Sequence, residues 1–219
     1  MRATARFSTA ALVLLVSLLS SAQSGKVESI GPSTDSVVSE TVRQSLDTKG
    51  YRLSLDDPKP YCEIWLRKSV PSQNRKSDVA AYPQFAPSVM LGIMNFLQDA
   101  TDYRGHKIPA GLYTLRYELM PDDGNHLGAA PNPDFLVTIP AASDPDPNAS
   151  FKFQDLAALS AKTAGTKHPA PLSLVPADKA GAASVSKDDQ DHWVFSTTVK
   201  LSSGEELPIA LVVKGTAQQ

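Results

Sequence analysis

Residues 112–119 read LYTLRYEL, and this stretch carries the strongest sign of a β-strand in the chain. Tyr113, Leu115 and Tyr117 alternate with Thr114 and Arg116. Successive side chains of a strand point to opposite faces of its sheet, so the alternation predicts a strand with one buried face. The tripeptide Pro-Ala-Gly at positions 109–111 supplies a turn immediately before it.

The same period of two recurs further along the chain, over residues 135–139, 193–201 and 207–213. The chain also contains 17 Pro and 12 Gly, scattered between short apolar runs, which implies many turns. We therefore expect an all-β fold. Its predicted architecture is an antiparallel β-sandwich, jelly-roll-like, of about seven to nine strands with one or two short peripheral helices.

Two segments have the spacing of short amphipathic helices. One follows the capping residues Thr34-Asp35 and ends before Gly50, and the other covers residues 153–161. The polar residues 23–33 are expected to form a flexible leader, and residues 177–191, rich in Ala, Gly, Ser and Lys, a mobile loop. The sequence thus predicts a single β-sandwich domain over residues 34–215.

The first 22 residues have the pattern of a secretory signal peptide. Arg2 and Arg6 precede an apolar run at residues 10–19, and small residues lead up to a cleavage site after Ala22. This run is shorter than the roughly 20 residues that span a membrane, and no later stretch approaches that length. We therefore expect a secreted or periplasmic, soluble protein with no membrane span after signal cleavage.

The charge of the remaining chain argues against a nucleic-acid partner. Without residues 1–22, 19 basic and 23 acidic side chains remain, which gives a net charge of −4. Proteins that bind nucleic acid need a basic face for the phosphates. We therefore expect no nucleic-acid binding.

Cys62 is the only cysteine, so an intramolecular disulfide is impossible. It alternates with Ile64 and Leu66, which favours a small buried hydrophobic residue on the same face of a strand. A reactive thiol and an intermolecular bridge are the other interpretations.

Two polar loops flank the strand at residues 112–119, namely residues 102–106 and 122–126. Eight residues of strand span roughly 26 Å, so these loops are expected at opposite ends of the sheet. In and beyond the second loop, Asp123, Asn125, His126 and Asp134 offer oxygen and imidazole ligands for a divalent ion, and His168 could join them from a distant loop. The competing interpretation is that this loop simply makes a turn, because Asp, Gly and Asn favour one.

Three further side chains are candidates for ligand binding. Arg104 and Arg116 could hold an anion through their planar guanidinium groups, or they could pair with a carboxylate such as Glu118 or Asp102. Trp65 alternates with charged neighbours, so it is expected to be exposed, where it could support a sugar.

Several motifs resemble a group of exported bacterial proteins of unknown function. They are DYRG at residues 102–105, GLYTLRY at 111–117, DGNHLG at 123–128 and DFL at 134–136. The step PAGLYTL at residues 109–115 is also similar to the DUF2911 family. The resemblance implies export and a bacterial envelope, and it implies no substrate.

The sequence contains no nucleophile elbow, no phosphate loop and no dinucleotide-binding turn, and no catalytic residue or cofactor is predicted. We expect an exported, soluble, non-catalytic binding or structural module of the bacterial cell envelope. Its expected partner is a small molecule, a glycan or an envelope protein. The predicted binding residues are Trp65, Arg104, Arg116, Asp123, Asn125, His126, Asp134 and His168. The alternative is a metal-assisted hydrolase whose metal is held by Asp123, His126, Asp134 and His168.

Overall fold

The structure is a computed structural model that describes residues 23–121, 130, 132–165, 167–177 and 179–217. The predicted signal peptide lies outside the described residues, and so do three predicted site residues, Asp123, Asn125 and His126. Across the described residues the chain is mostly antiparallel strand, with two short helices, which confirms the all-β class.

The elements follow one another in chain order. The first half contains β1 (Lys26–Ile30), α1 (Glu40–Ser45), β2 (Gly50–Ser54), β3 (Pro60–Leu66), β4 (Met90–Phe96), β5 (Ala100–Thr101) and β6 (Lys107–Ile108). The second half contains β7 (Gly111–Leu119), β8 (Asp134–Pro140), α2 (Phe153–Ala164), β9 (Pro171–Val175), β10 (Ser184–Lys187), β11 (Trp193–Lys200) and β12 (Glu206–Lys214).

All strands except the small β5–β6 pair belong to one sheet, with the order β1-β2-β3-β4-β7-β8-β9-β12-β11-β10. The sheet curls until its two edges meet. There the Gly25 N–H donates to the Val185 carbonyl, and the Lys187 N–H donates to the Gln23 carbonyl, both at 2.9 Å. The two expected layers are therefore opposite walls of a continuous hydrogen-bonded sheet.

The interior between these walls is filled by apolar and aromatic side chains. The rings of Tyr51 on β2 and Phe195 on β11 meet across it, with centroids 5.5 Å apart. Tyr113, Leu115 and Tyr117 of β7 point into this interior, as the alternation predicts. Cys62 is also buried there as a free cysteine, together with Ile64 and Leu66, which confirms the prediction of a small buried residue.

Residues 23–33 correct the expectation of a flexible leader. They contain β1, which pairs antiparallel with β2 from Lys26 opposite Ser54 to Ile30 opposite Gly50. Main-chain groups form a β-ladder whatever their side chains, so a polar strand on the surface satisfies the edge of β2 without an apolar pattern. Residues 177–191 likewise include a strand, β10, which pairs with β11.

Each helix covers part of the outer face of the sheet. Helix α1 begins after Ser39, whose Oγ accepts the Val42 N–H at 3.1 Å, so it starts later than the Thr34-Asp35 cap predicts. Val38 and Val42 pack against the outer side of β3 and β4. Helix α2 packs Leu156 against the outer side of β8. Among the residues that the structure describes, no helix has the length and hydropathy needed to cross a membrane.

Candidate functional site

The turn at residues 102–106 connects β5 to β6 and is built around the Asp102 carboxylate. Asp102 Oδ1 accepts the N–H groups of Arg104 and His106 at 2.9 and 2.8 Å. Asp102 Oδ2 lies 3.0 Å from His106 Nδ1. Gly105, with φ +82°, provides the left-handed backbone that closes the turn. The carboxylate therefore fixes both the turn and the imidazole that follows it.

A second turn with the same geometry connects β10 to β11. Asp188 Oδ1 accepts the N–H groups of Gln190 and His192, both at 2.9 Å, and Asp188 Oδ2 lies 3.2 Å from His192 Nδ1. The left-handed position is taken by Asp191, with φ +62°. Within the described residues, the spacing Asp-x-x-x-His thus forms the same turn twice.

The two turns touch each other. The Tyr103 ring lies against the His192 ring, with centroids 4.3 Å apart, and the Tyr103 hydroxyl donates to Gln190 Oε1 at 2.7 Å. Burial raises the pKa of Tyr103, so its hydroxyl keeps the proton that it donates. His192 is fully buried under this contact, and its Nε2 has no hydrogen-bond partner. This locks the first turn onto the sheet and leaves His106 on the surface side.

A cleft of about 450 Å³ lies between the first turn and the C-terminal end of α2. Its apolar walls are Ile108, Pro109, Ala164, Pro169 and Ala170. Its polar lining is Asp102, His106, Lys107 and His168. This volume falls within the range of roughly 300–1,000 Å³ that is typical of small-molecule sites, and an apolar wall with few polar groups is their usual composition.

The polar groups of this cleft differ in how many hydrogen bonds and ion pairs they already make within the protein. Asp102 is buried, and its two oxygens already receive two N–H groups and the His106 Nδ1. Because a carboxylate only accepts, Nδ1 carries the proton of that bond, and Nε2 is the ring nitrogen that Asp102 does not engage. The Lys107 ammonium lies 2.6 Å from the Asp99 carboxylate. The histidine side chain itself is 70% exposed.

The chemistry available in the cleft is that of binding and proton exchange. None of its described lining side chains is a hydroxyl or a thiol that the Asp102–His106 pair could activate as a nucleophile. Within the described part of the chain, no group of three or more His, Cys, Asp or Glu side chains is arranged to hold a metal ion.

A larger cleft of about 540 Å³ lies near the start of β2 and the end of β11. Charged side chains dominate its lining, among them Lys49, Arg67 and Lys200. Arg67 already donates to the Pro147 carbonyl and to Asn148 Oδ1. Half of its lining residues are charged and none of them is a histidine, so it is the weaker candidate.

Arg116 does not serve as a ligand-binding residue. It is completely buried on the outer side of β7, and its Nε and Nη2 donate to the two oxygens of Asp144 at 2.7 and 2.8 Å. The expected pairing with a carboxylate is confirmed, but the partner is Asp144, not Glu118 or Asp102. The partner comes from the segment that follows β8, which no cross-strand rule indicates.

Asp134 is not available as a metal ligand. Its Oδ1 accepts the Tyr82 N–H and the Tyr117 hydroxyl at 3.0 and 2.7 Å. Its Oδ2 accepts the Ala81 N–H and the Asn132 side-chain amide at 2.8 and 3.1 Å. Four donors saturate the buried carboxylate, which ties residues 81–82 to the start of β8.

Trp65 corrects the prediction of an exposed aromatic platform. It does point to the outer side of the sheet, but it is only 7% exposed, because α1 covers it. Its Nε1 donates to the Gly31 carbonyl at 2.8 Å. The segment taken for a loose leader therefore helps to bury it.

The remaining described candidates lie near the first turn. Arg104 is exposed on the turn itself, and His168 is exposed and lines the cleft next to His106. Among the predicted binding residues that the structure describes, His168 alone belongs to the cleft. Asp102 and His106 were missing from the predicted set, although the spacing Asp-x-x-x-His occurs at residues 102–106 and 188–192, and also at 122–126, which lies outside the described residues.

No protein-family model, no curated protein sequence and no solved structure matches this chain. The resemblance to the DUF2911 family therefore stays a prediction.

Proposed function

We propose that this chain is an exported, non-catalytic binding module of the bacterial envelope that takes a small, largely apolar molecule into the cleft between the Asp102 turn and α2. The observation that carries this proposal is the cleft of about 450 Å³ with five apolar lining residues beside one anchored imidazole. Export and the envelope location are supported by the charged and apolar pattern of residues 1–22.

The metal-assisted hydrolase is the weaker proposal. Two of its four ligands, Asp123 and His126, lie outside the described residues. A third, Asp134, has its oxygens engaged by four donors. The fourth, His168, lines a cleft to which Asp134 does not contribute.

A neutral fluorescent probe tests the binding proposal. N-phenyl-1-naphthylamine brightens when it leaves water for an apolar site, and it carries no charge that would favour one polar group. At about 0.3 kcal/mol per non-hydrogen atom, a probe of about 17 such atoms is expected to bind with a Kd of roughly 0.2 mM. We expect saturable binding to a single site.

The test uses a variant in which a larger side chain fills the cleft. Ala164 lines the cleft near the end of α2, so Ala164→Phe is expected to abolish probe binding. Ala158 is exposed on the same helix outside the cleft lining, so Ala158→Phe is the matched control and should bind like the parent chain. Thermal unfolding checks that both are folded, and Ala164→Leu replaces the larger variant if that one is not. Unchanged binding by a folded Ala164 variant, or no saturable binding by the parent chain, would overturn the proposal.

A further inference from the structure

We propose that the cleft selects ligands in which an apolar body carries a carboxylate, with His106 as the group that pairs with it; this rests on the proposed binding function. Three of the four polar lining side chains, His106, Lys107 and His168, are able to donate hydrogen bonds as cations. The fourth, Asp102, already accepts three hydrogen bonds, two at Oδ1 and one at Oδ2, and its side chain is only 11% exposed. The polar lining therefore presents mainly donors to a bound molecule.

The Asp102–His106 bond determines how His106 responds to such a ligand. Nδ1 holds its proton on Asp102 Oδ2, so Nε2 accepts hydrogen bonds when the imidazole is neutral and donates when it is charged. A carboxylate only accepts, so it is paired by the imidazolium and not by the neutral ring. A bound carboxylate is therefore expected to accept a hydrogen bond from the Nε2–H of the charged ring, and no covalent bond is made or broken.

Charged groups of both signs lie near His106. Asp102, on its own turn, is the nearest carboxylate, with Oδ2 3.0 Å from Nδ1. Lys107 is the neighbouring cation, and its ammonium is balanced by Asp99 at 2.6 Å. His168, from the segment after α2, is the other histidine that lines the cleft.

The apolar lining limits what the rest of the ligand can be. Ile108, Pro109 and Pro169 offer no polar side-chain atom, so a bare inorganic anion or a sugar would leave these walls in contact with water or with hydroxyl groups. An apolar body of the size of one aromatic ring with a short chain fits within such a cleft and buries its own surface against the apolar walls.

Three matched compounds test the inference by calorimetric titration of the full chain at pH 6: 4-phenylbutyrate, 4-phenylbutan-1-ol and 4-phenylbutylamine. They share one apolar body and differ only in the charge of the head group. We expect the carboxylate to bind about tenfold more tightly than the alcohol, because a hydrogen bond to a charged group is stronger than a neutral one. The amine is expected to bind most weakly.

The variant His106→Gln tests whether His106 is the group that pairs with the ligand carboxylate. An amide cannot become a cation, so the affinity for 4-phenylbutyrate should fall about tenfold, and the affinity for the alcohol should fall less. Lys26→Gln, which removes an exposed cation on β1, is the control and should leave all three affinities unchanged.

The outcomes distinguish this inference from the proposed function. If the alcohol or the amine binds as tightly as the carboxylate, or if His106→Gln leaves the preference for the carboxylate intact, the inference is wrong and the binding cleft stands. If none of the three compounds binds and the neutral probe does not bind either, both are wrong.

Discussion

Arg116 shows how a single charged residue on a strand becomes part of the framework. Besides the two bonds to Asp144, its Nη1 donates to the carbonyls of Ser88 and Ala149, and its Nη2 donates to the carbonyl of Asp146. All five N–H groups of the guanidinium are thereby used. A lysine has three donors on one atom and cannot reproduce this planar arrangement.

We expect Arg116→Lys to lower the free energy of unfolding by about 3–5 kcal/mol, because it leaves buried acceptors and the Asp144 carboxylate partly unpaired. Urea denaturation measures this change. Arg52→Lys is the matched control, since Arg52 also pairs with a carboxylate across two strands, Glu63 at 2.7 Å, but is 39% exposed. That change should cost less than about 1 kcal/mol. Equal costs for the two variants would contradict the framework role of Arg116.

Glu118, two residues further along β7, is a carboxylate whose charged form is destabilised by burial. Burial raises the pKa of its carboxyl group, so the folded chain binds this proton more tightly than the unfolded chain does. Its contribution to stability is therefore fully present below the ordinary pKa and is lost as the pH rises through the raised pKa. At pH 7 the buried carboxylate costs stability.

We expect Glu118→Gln to raise the Tm at pH 7, with the advantage shrinking toward pH 4, where the native carboxyl group is protonated. The amide oxygen can still accept the Leu119 N–H, which Glu118 Oε1 accepts at 2.9 Å. Glu40→Gln is the control of opposite sign, because hydrogen bonding to Arg43 lowers the pKa of Glu40. Thermal unfolding at both pH values measures these shifts, and a lower Tm for Glu118→Gln at pH 7 would contradict the expectation.

At the scale of elements, the outer face of β3 depends on a close approach between two strands. A Cβ placed on Gly50, at the start of β2, would lie 2.3 Å from Trp65 Nε1 and 2.6 Å from its Cδ1. The glycine therefore makes room for the indole that α1 covers. The need for glycine here is steric and comes from a neighbouring strand.

We expect Gly50→Ala to lower the free energy of unfolding by about 1–3 kcal/mol, because the Trp65 ring must move and its bond to Gly31 must stretch. Gly181→Ala is the control, since a Cβ there would meet nothing within 4 Å. Chemical denaturation with tryptophan fluorescence measures both variants. A Gly50→Ala chain as stable as the control would show that the indole can shift without cost.

For the whole molecule, the contact between β1 and β10 decides how the sheet ends. Without β1, β2 and β10 would each present unpaired N–H and carbonyl groups along an edge, which invites pairing with other chains. The predicted signal cleavage after Ala22 would leave all of β1 in place. The polar segment after the cleavage site is therefore a structural part of the domain.

We expect a chain that begins at Gly31 to have a clearly lower Tm than one that begins at Gln23, and to self-associate, because it exposes the edges of β2 and β10. Thermal unfolding and light scattering after gel filtration compare the two. Replacing the exposed Ala182, shortly before β10, by Ser is the control, because it leaves the edge hydrogen bonds and the packing of Ala183 intact. A monomeric chain from Gly31 with an unchanged Tm would argue against a role of β1 in closing the sheet.

The segments in which apolar and polar residues alternate were enough to predict the all-β class. Tyr113, Leu115 and Tyr117 share the interior of the sheet because side-chain direction along a strand is a local property of the backbone. Cys62 is buried for the same reason. The spacing Asp-x-x-x-His is also a local pattern, so the two turns could have been predicted from the sequence.

Tertiary contacts alone decided the rest. β1 pairs through main-chain groups that carry no pattern in the side chains, and Trp65 lies on the predicted outer side but under a helix that only the fold brings there. The sequence shows Arg116, Asp134 and His106 alike as polar residues. Two of them are saturated by partners distant along the chain, and the third faces an apolar cleft formed with α2. Whether a polar group is satisfied within the fold or faces a cleft depends on such long-range neighbours, and a one-dimensional pattern does not contain them.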